Sequence, residues 1–294
     1  MSWRLRSIAV ALVLCGVACA RTPVPRLSST APVTVEVIAV GHGDAILITT
    51  IAKKSVLIDG GEAEAVSVVL DTLHRRGACP LDMVLLTHRH ADHLGGLAKV
   101  IEVCGAKLFM DGGAEHPGGQ YNHLLKVIED RRVPFRQATA GRSIDLGAGA
   151  MLTLLGPPEP LLESGGAEVN GNSVVSRLVV GKTSMLLTGD AEAHEEAWLL
   201  AGHPGLRSTV LKLGHHGSRT SSSAAFLAAV APDLAVVSCK PGDAKHPHPE
   251  TLKRLARANT KLVRTSDEGS IVLGFYGDRV SLESSAHPER IWIP

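Results

Sequence analysis

The sequence carries almost no net charge, because its 30 lysines and arginines are balanced by 29 aspartates and glutamates to a formal charge of +1. That balance excludes a global electrostatic attraction to nucleic acid or to an anionic membrane, so binding of a polyanion would need a local patch. Aromatic side chains are also scarce, at 3%, whereas 14 histidines are present, many of them in short clusters. With 294 residues, 45% of them hydrophobic, the chain can still bury the core of one large domain or two ordinary ones.

The apolar stretch at the N-terminus is too short to span a bilayer. It covers residues 8–20 behind two arginines, which is typical of a signal-peptide core. Its end offers two cleavage patterns: an A-x-A site that releases a chain beginning at Arg21, or a lipobox in which Cys19 carries lipid. We predict a signal peptide at 1–20 and a linker at 21–32, rich in proline and serine. The mature protein would then be periplasmic or lipid-anchored in the bacterial envelope, with no other contact to the membrane.

Five cysteines are present, and two of them fall in the predicted signal peptide. Export would place the remaining three, Cys79, Cys104 and Cys239, in an oxidising compartment where disulfides form. Cys79 and Cys104 each precede an apolar run by a few residues. If those runs are neighbouring parallel strands, both cysteines lie at the same end of the sheet. We therefore predict a Cys79–Cys104 disulfide, the alternative being two small buried hydrophobic residues.

From residue 33 onward, short β-branched runs alternate with helical patterns and turns, and no linker interrupts them. Strands are predicted at 34–40, 45–50, 55–58, 82–87 and 107–110, then at 151–155, 174–180, 184–187, 209–213 and 234–238, with further strands within 263–283. Helices are predicted at 62–76, 94–103, 121–132, 191–201, 222–230 and 249–258. Two β-rich halves with interspersed helices predict an α/β (α+β) protein, with two sheets, helices packed outside and a single domain at 33–294.

Residues 84–97, VLLTHRHADHLGGL, place His88, His90, Asp92 and His93 directly after a predicted strand. Loops at strand ends are where such folds place chemistry. A helical turn beginning near Asp92 would direct these side chains to two sides of one point, which suits two metal ions about 3.5–4 Å apart. Imidazole with carboxylate favours Zn²⁺, although Mn²⁺ or Fe also fits. The two glycines that follow would let the backbone pass close beneath the site. The alternative is a solvated loop.

The motif resembles the metal-binding signature of the metallo-β-lactamase superfamily. That resemblance implies an αββα sandwich of two mixed sheets and a metal-dependent hydrolase. It also implies that Asp59 in VLIDGG is the buried aspartate that orients the site, and that Asp190 in LLTGDAE bridges both ions. His215 in LGHHGS would be the last ligand, with His216 as the alternative. By the same resemblance, one ion is held by His88 and His90, the other by Asp92, His93 and His215, and both share Asp190.

The histidine that usually completes the first ion's ligands has no counterpart between His123 and His194. Asn172 or Ser173 lies there instead, in AEVNGNSVV. This departure resembles the hydrolase domain of ComEC-type competence proteins, which belong to a bacterial DNA-uptake channel. VIAVGHGDAILI, VLIDGG, LTHRHADHLGGL, LLTGDAE, HHGSRTSS and HPHPETLKRL all match that family in order, although Ala39 stands where an acidic residue is common. The first ion would be bound more loosely, making Mn²⁺ competitive with Zn²⁺.

Two further segments are candidates for substrate binding. Ser218, Thr220 and Ser221 precede the predicted helix at 222–230 and could form an anion site, although an ordinary helix cap would use the same residues. His246 and His248 alternate with prolines, and either could bind phosphate or donate a proton to the leaving group, the alternative being loop histidines. His42, in a Gly-His-Gly turn, is also expected near the site.

These features predict an exported hydrolase with two divalent metal ions, Zn²⁺ or Mn²⁺. A phosphodiesterase or nuclease that uses a metal-bridging hydroxide is favoured, with a phosphodiester or nucleic acid as substrate. Metal ligands alone do not choose the substrate. Hydrolysis of a lactam, a lactone or a phosphocholine ester in the envelope is therefore the alternative within the enzyme class. A non-catalytic binding protein on the same fold is the alternative outside it.

Overall fold

The computed structural model describes residues 31–113, 118–163, 170–203 and 205–293. The predicted signal peptide, the lipobox at Cys19 and nearly all of the predicted linker lie outside these residues. Among the described helices, none has the length and apolarity needed to cross a membrane.

One sheet has nine strands and contains both ends of the described chain. Its strands are β1 (Val33–Val37), β2 (Ile46–Thr50), β3 (Ser55–Ile58), β4 (Met83–Leu86), β5 (Phe109–Asp111) and β6 (Phe135–Gln137), with β14 (Ile271–Phe275), β15 (Val280–Ser284) and β16 (Ile291–Ile293). The order is β16-β15-β14-β1-β2-β3-β4-β5-β6. Strands β3 to β6 run parallel to each other, whereas the remaining pairs are antiparallel.

The other sheet has seven strands in the order β13-β12-β11-β10-β9-β8-β7. They are β7 (Ser143–Gly147), β8 (Ala150–Leu154), β9 (Ser176–Val180), β10 (Thr183–Leu187), β11 (Val210–Lys212), β12 (Leu234–Val237) and β13 (Lys261–Arg264). Strands β10 to β13 are parallel to each other, and β7 to β10 are antiparallel. Each sheet is therefore mixed, as expected.

Helices cover the outer faces of both sheets. They are α1 (Val66–Arg76), α2 (Ala91–Leu94), α3 (Leu97–Cys104), α4 (Gly119–Asp130), α5 (Ala193–Gly202), α6 (Ala224–Val230), α7 (Pro249–Arg257) and α8 (Thr265–Glu268), with 3-10 turns at Ala63–Ala65, Asn170–Asn172 and Gly214–Gly217. A central core joins side chains of the two sheets, such as Val35, Leu85 and Met185. Outer cores lie between the first sheet and helices α1, α3 and α4, and between the second sheet and α5, α6 and α7. The four layers form the predicted αββα sandwich.

The disulfide predicted between Cys79 and Cys104 is present, with Cα atoms 5.0 Å apart. The two strands that follow these cysteines, β4 and β5, are parallel neighbours, which is the arrangement on which the prediction depended. A parallel bridge between Leu81 and Ala106 lies directly beyond the disulfide and continues this pairing. Cys239 is buried as a free thiol.

Candidate metal centre

The histidine-rich loop begins where β4 ends and is fixed there by a buried aspartate. Asp59, at the end of the neighbouring parallel strand β3, accepts hydrogen bonds from the Thr87 N–H and hydroxyl, both at 2.7 Å. The same carboxylate lies 2.8 Å from His93 Nδ1. His90 is the N-cap of α2, so His88 and His90 precede the helix, whereas Asp92 and His93 lie in its first turn. Asp59 thus holds both the loop and one imidazole, in the position that the resemblance implied for it.

Glycines allow three stretches of backbone to meet around this loop. A Cβ on Gly96 would lie 2.3 Å from the carbonyl oxygen of Gly60, and one on Gly43 would lie 1.9 Å from the carbonyl oxygen of Asp92. The Gly60 N–H donates to the His93 carbonyl at 2.7 Å. The close backbone approach expected beneath Gly95-Gly96 is therefore present, and a second close approach brings the Gly41–Asp44 turn against α2.

Four donor atoms, which we call the inner group, surround one point: Asp92 Oδ2, His93 Nε2, Asp190 Oδ1 and His216 Nε2. His93 Nε2 is 3.3 Å from Asp190 Oδ1 and 3.7 Å from Asp92 Oδ2. His216 Nε2 is 3.3 Å from Asp92 Oδ2 and 3.7 Å from Asp190 Oδ1. In a tetrahedral Zn²⁺ site with bonds of about 2.0–2.1 Å, neighbouring donor atoms lie roughly 3.3 Å apart. The donors on His93, Asp190 and His216 lie within 4.8 Å of one another, and the four measured separations agree with those between neighbouring ligands of one metal ion.

The hydrogen bonding of the inner group supports the same interpretation. His93 Nε2, Asp190 Oδ1 and His216 Nε2 are buried and have no hydrogen-bond partner among the described residues. Buried polar atoms are normally paired, because an unpaired one loses its hydration without compensation. A cation coordinated by these three atoms would supply the missing interaction, so the residues present fit a metal ion.

A second set of donors, the outer group, lies on the other side of Asp190 and consists of His88 Nε2, His90 Nδ1 and Asp190 Oδ2. His88 Nε2 is 3.6 Å from Asp190 Oδ2 and 3.1 Å from His90 Nδ1. The three donor atoms lie within 4.8 Å of one another. Asp190, which follows β10, thus directs one carboxylate oxygen toward each group, the arrangement expected of a shared ligand.

The structure corrects the assignment of the two adjacent histidines after β11. His216 is buried and belongs to the inner group, where His215 was expected. His215 instead places Nε2 3.8 Å from Asp190 Oδ2, the oxygen that faces the outer group. Its Nδ1 is 2.9 Å from Glu192 Oε1, which orients the ring. Both histidines adopt left-handed backbone conformations, with φ of 47° and 52°, and this turn sends successive side chains to different sides of Asp190.

Asn172, which stands in the segment where the absent histidine was expected, has its side-chain amide engaged with the backbone. Its side-chain amide forms two hydrogen bonds with the backbone of Leu162, at 2.8 and 3.0 Å. Ser173 contacts a donor residue directly, because its hydroxyl accepts a hydrogen bond from the Asp190 N–H at 3.1 Å. Ser173 thus positions the shared aspartate, whereas Asn172 holds the segment at Leu162. His215 Nε2, 3.8 Å from Asp190 Oδ2, is on the side of the outer group.

The predicted anion site at the start of α6 is filled by a side chain of the protein. Glu196 accepts hydrogen bonds from the N–H groups of Ser222 and Ser223. Ser221 is buried, and its hydroxyl donates to the Gly214 carbonyl at 2.7 Å. Ser218 and Thr220 hydrogen-bond to each other at 3.0 Å on the surface. The N-cap of α6 is Ser223, so the three predicted residues neither cap the helix nor present its free N–H groups.

The two histidines of the HPHP segment have different surroundings. His248 is the N-cap of α7 and accepts a hydrogen bond from the Glu250 N–H at 3.1 Å, so it has a structural role. His246 faces the site, with its ring centroid 5.2 Å from that of His42 and 6.3 Å from that of His215. His42 lies beside the inner group, with its ring centroid 4.4 Å from that of His216. His42 and His246 therefore lie at the rim of the donor groups.

A buried ion pair beneath the site was missed by the sequence interpretation. Lys212 Nζ lies 2.8 Å from Asp44 Oδ2, and both side chains are almost fully buried. Lys212 belongs to β11 of the second sheet, whereas Asp44 follows the Gly-His-Gly turn of the first. Burial raises the pKa of Asp44, but the Lys212 ammonium outweighs it and keeps the carboxylate charged. A single lysine within the apolar run VLKL was the signal that could have identified this pair.

Burial and charge set the protonation of the donors. Burial, with His93 nearby, lowers the pKa of His88 well below its usual value, which keeps this imidazole neutral as a ligand must be. Burial raises the pKa of Asp190, but His93 and His216 outweigh it and hold that pKa well below its usual value. Burial lowers the pKa of His93, but Asp190 and Asp59 raise it well above its usual value. A metal ion bound at His93 Nε2 would therefore displace a proton.

The curated proteins to which this chain is similar include three with related names. "Competence protein ComA" of Neisseria gonorrhoeae is 33% identical over 237 residues, which cover 80% of this chain and 31% of that protein. "ComE operon protein 3" of Bacillus subtilis is 27% identical, over 81% of this chain and 32% of that protein. "Recombination protein 2" of Haemophilus influenzae is 30% identical, over 85% of this chain and 30% of that protein. The chain therefore spans about a third of the length of these curated relatives.

Solved structures with the same fold include the metallo-β-lactamase fold protein YhfI of Bacillus subtilis, with a TM-score of 0.52 and 16% identity over 79% of this chain and 96% of that one. A metallo hydrolase from the archaeon Ignicoccus hospitalis has a TM-score of 0.50 and 15% identity, over 82% of this chain and 99% of that one. Residues 38–240 match the family model described as the metallo-β-lactamase superfamily. With its sandwich of two mixed sheets and its donor groups at the adjoining strand ends, the chain belongs to that superfamily.

Proposed function

We propose that this chain is an exported dinuclear metal hydrolase that cleaves phosphodiesters, with nucleic acid as the substrate class. The observation that carries the proposal is Asp190, whose two carboxylate oxygens face two separate sets of ligand atoms at 3.3–3.8 Å. Two divalent ions, Zn²⁺ or Mn²⁺, would activate water for attack and stabilise charge on the displaced oxygen. Membership of the superfamily supports metal-dependent hydrolysis as the general chemistry.

Some residues of the protein would hold the metal ligands in place, and others would contact the substrate. Asp59, Thr87 and Ser173 hold the ligand loops through short hydrogen bonds and do not face the substrate. His246, at the open rim and partly exposed, is the side chain we assign to phosphate contact, through Nε2, because its Nδ1 faces Asp243. In contrast, Ser221 and His248 are committed to the backbone, so we do not assign them to the substrate.

The choice of bond follows from the relatives. The motif order and the Asn-Ser pair resemble ComEC-type competence proteins of DNA uptake, and the names of the similar proteins refer to competence and recombination. A phosphodiester of nucleic acid is the substrate that agrees with these names. Export is supported separately by the Cys79–Cys104 disulfide, because such bonds persist in oxidising compartments.

The test is hydrolysis by the purified protein loaded with Mn²⁺ or with Zn²⁺. Single-stranded DNA, double-stranded DNA and bis-p-nitrophenyl phosphate are offered as substrates, and we expect turnover of at least one of them. Asp190→Asn should abolish that turnover, whereas His194→Asn, a matched change at an exposed histidine on α5, should leave it intact. Absence of turnover with both ions bound would refute the phosphodiesterase.

Two further measurements separate the alternatives. Binding of DNA should weaken steeply as salt rises, because each phosphate contact releases counterions. Turnover of a lactam, a lactone or a phosphocholine ester with no phosphodiesterase activity would instead support an envelope hydrolase of another bond. DNA binding that survives Asp190→Asn, with no hydrolysis in the wild type, would indicate a binding protein.

A further inference from the structure

A third set of potential ligands, the lateral group, lies beside the inner group and consists of His42, Asp243 and His246. Asp243 Oδ2 is 3.7 Å from His42 Nδ1 and 3.4 Å from His246 Nδ1. The three donor atoms lie within 4.8 Å of one another. The 3.7 Å separation exceeds that of a good N–H···O hydrogen bond, which is about 2.7–3.2 Å, and the 3.4 Å separation is that of a long one. Both separations match the distances between neighbouring ligands of one ion, which are roughly 3.3 Å for tetrahedral Zn²⁺.

The backbone around the lateral group is arranged to bring these three side chains together. Gly43 approaches Asp92 so closely that a Cβ there would overlap the Asp92 carbonyl, and this places His42 over the inner group. Across the cleft, Asp243 Oδ1 accepts hydrogen bonds from the N–H groups of Lys245 and His246, at 2.8 and 3.2 Å. One carboxylate oxygen is thus committed to the turn, and the other remains directed at both imidazoles.

The environment of the lateral group is that of a partly open ligand site. His42 Nδ1 is buried and has no hydrogen-bond partner among the described residues. The side chains of His42, Asp243 and His246 are 26%, 9% and 20% exposed, so a hydrated ion could enter from solvent. Three protein ligands with an open fourth position are the usual arrangement of Zn²⁺ sites that exchange a water molecule.

The lateral group is a separate site, although it adjoins the inner group. His42 Nε2, the nitrogen that does not face Asp243, is 3.7 Å from Asp92 Oδ2. Imidazoles that bind a metal through one nitrogen commonly direct the other toward a carboxylate, which fixes the ring. His42 can therefore serve the lateral group while Asp92 remains a donor of the inner group.

We propose that His42, Asp243 and His246 bind a third divalent cation, with Zn²⁺ the best match to two imidazoles and one carboxylate. The site has three protein ligands and is open to solvent, whereas the inner group has four, and three of these (His93, Asp190 and His216) are buried. The third ion therefore binds more weakly than the ion of the inner group. It adds positive charge at the rim, on the side where an anionic substrate would arrive. Binding of this ion does not depend on which bond the protein hydrolyses.

The experiment is a Zn²⁺ titration of the metal-free protein in a calorimeter. Elemental analysis after desalting measures how many ions stay bound. The wild type should bind a third equivalent, with lower affinity than the first. Asp243→Asn and His246→Gln should each weaken that third step by more than about tenfold and leave the tighter steps unchanged. Asp71→Asn and His194→Gln make the same chemical changes at exposed positions on α1 and α5, and should not alter the titration.

Three results would overturn the third site: a wild type that binds no more than two equivalents, a third step that persists at full affinity in both lateral variants, or loss of the same step in the exposed controls. Asp190→Asn distinguishes a failure of the third site from a failure of the proposed function. It should remove the tight steps and preserve the weak one, so failure of phosphodiesterase activity would leave the lateral site standing.

Discussion

For two consecutive histidines, the backbone conformation decides which set of donor atoms each side chain joins. His215 and His216 both have positive φ, and their rings lie 6.2 Å apart at 75° to each other. One ring reaches the inner oxygen of Asp190, and the other approaches the outer oxygen. A dipeptide in an extended strand would also separate its side chains, but only the observed turn places both beside the same carboxylate.

We predict opposite metal-binding phenotypes for the two histidines. His216→Asn removes a donor from the inner group and should weaken the most tightly bound ion by more than about tenfold. His215→Asn should leave that ion at wild-type affinity and weaken the ion of the outer group. Competition with a chromophoric chelator measures both affinities. An unchanged tightest step in His216→Asn, with a weakened one in His215→Asn, would restore the assignment made from the sequence.

The sequence was sufficient for donors whose spacing is local. His88, His90, Asp92 and His93 lie within six residues after a recognisable strand, and they do converge. It was insufficient for choosing between His215 and His216, because that choice depends on backbone angles that composition and spacing do not reveal. The Lys212–Asp44 pair acts across the fold, and its sequence signal is limited to a single lysine in the apolar run VLKL, which does not identify the partner.

At the level of secondary structure, the site lies at the carboxyl ends of parallel strands in both sheets. Asp59 and the histidine loop follow β3 and β4, whereas Asp190 and His216 follow β10 and β11. The sequence pattern predicted these four strands because they are short, buried and mostly apolar. It missed β6, all of whose residues are exposed, since an exposed edge strand lacks that pattern. The helix predicted at 94–103 also begins later, at Leu97, because Gly95-Gly96 separates α2 from α3.

The disulfide joins two of these elements and should contribute measurably to stability. It connects the segment after α1 to the end of α3 across a sequence separation of 25 residues. Loop-closure entropy for that length gives about 3–4 kcal/mol. We expect reductant to lower the midpoint of thermal unfolding, which circular dichroism measures. The double variant Cys79→Ala/Cys104→Ala should start at the lower midpoint and show no further change with reductant. An equal shift in that variant would mean that the reductant acts elsewhere.

Over the whole molecule, the inner group connects the two sheets. Asp92 and His93 come from the first sheet, and Asp190 and His216 come from the second. Without an ion, three buried donor atoms of this group have no hydrogen-bond partner among the described residues. The sandwich is held mainly by its apolar core, which includes side chains of both sheets. At the functional edge, however, the Lys212–Asp44 ion pair and the donor groups provide polar contacts between the sheets.

Metal removal should therefore lower the stability of the whole sandwich. An ion present at about 1,000 times its dissociation constant stabilises the folded state by about 4 kcal/mol. In a domain of this size, that corresponds to roughly 10 °C in the unfolding midpoint. We expect a chelator to lower the midpoint by that amount and added Zn²⁺ to restore it. Asp190→Asn, which lacks the shared carboxylate, should respond much less to both treatments, because only the weaker lateral site remains. An unchanged midpoint in wild-type protein whose metal has verifiably been removed would mean that the ions do not stabilise the contact between the sheets.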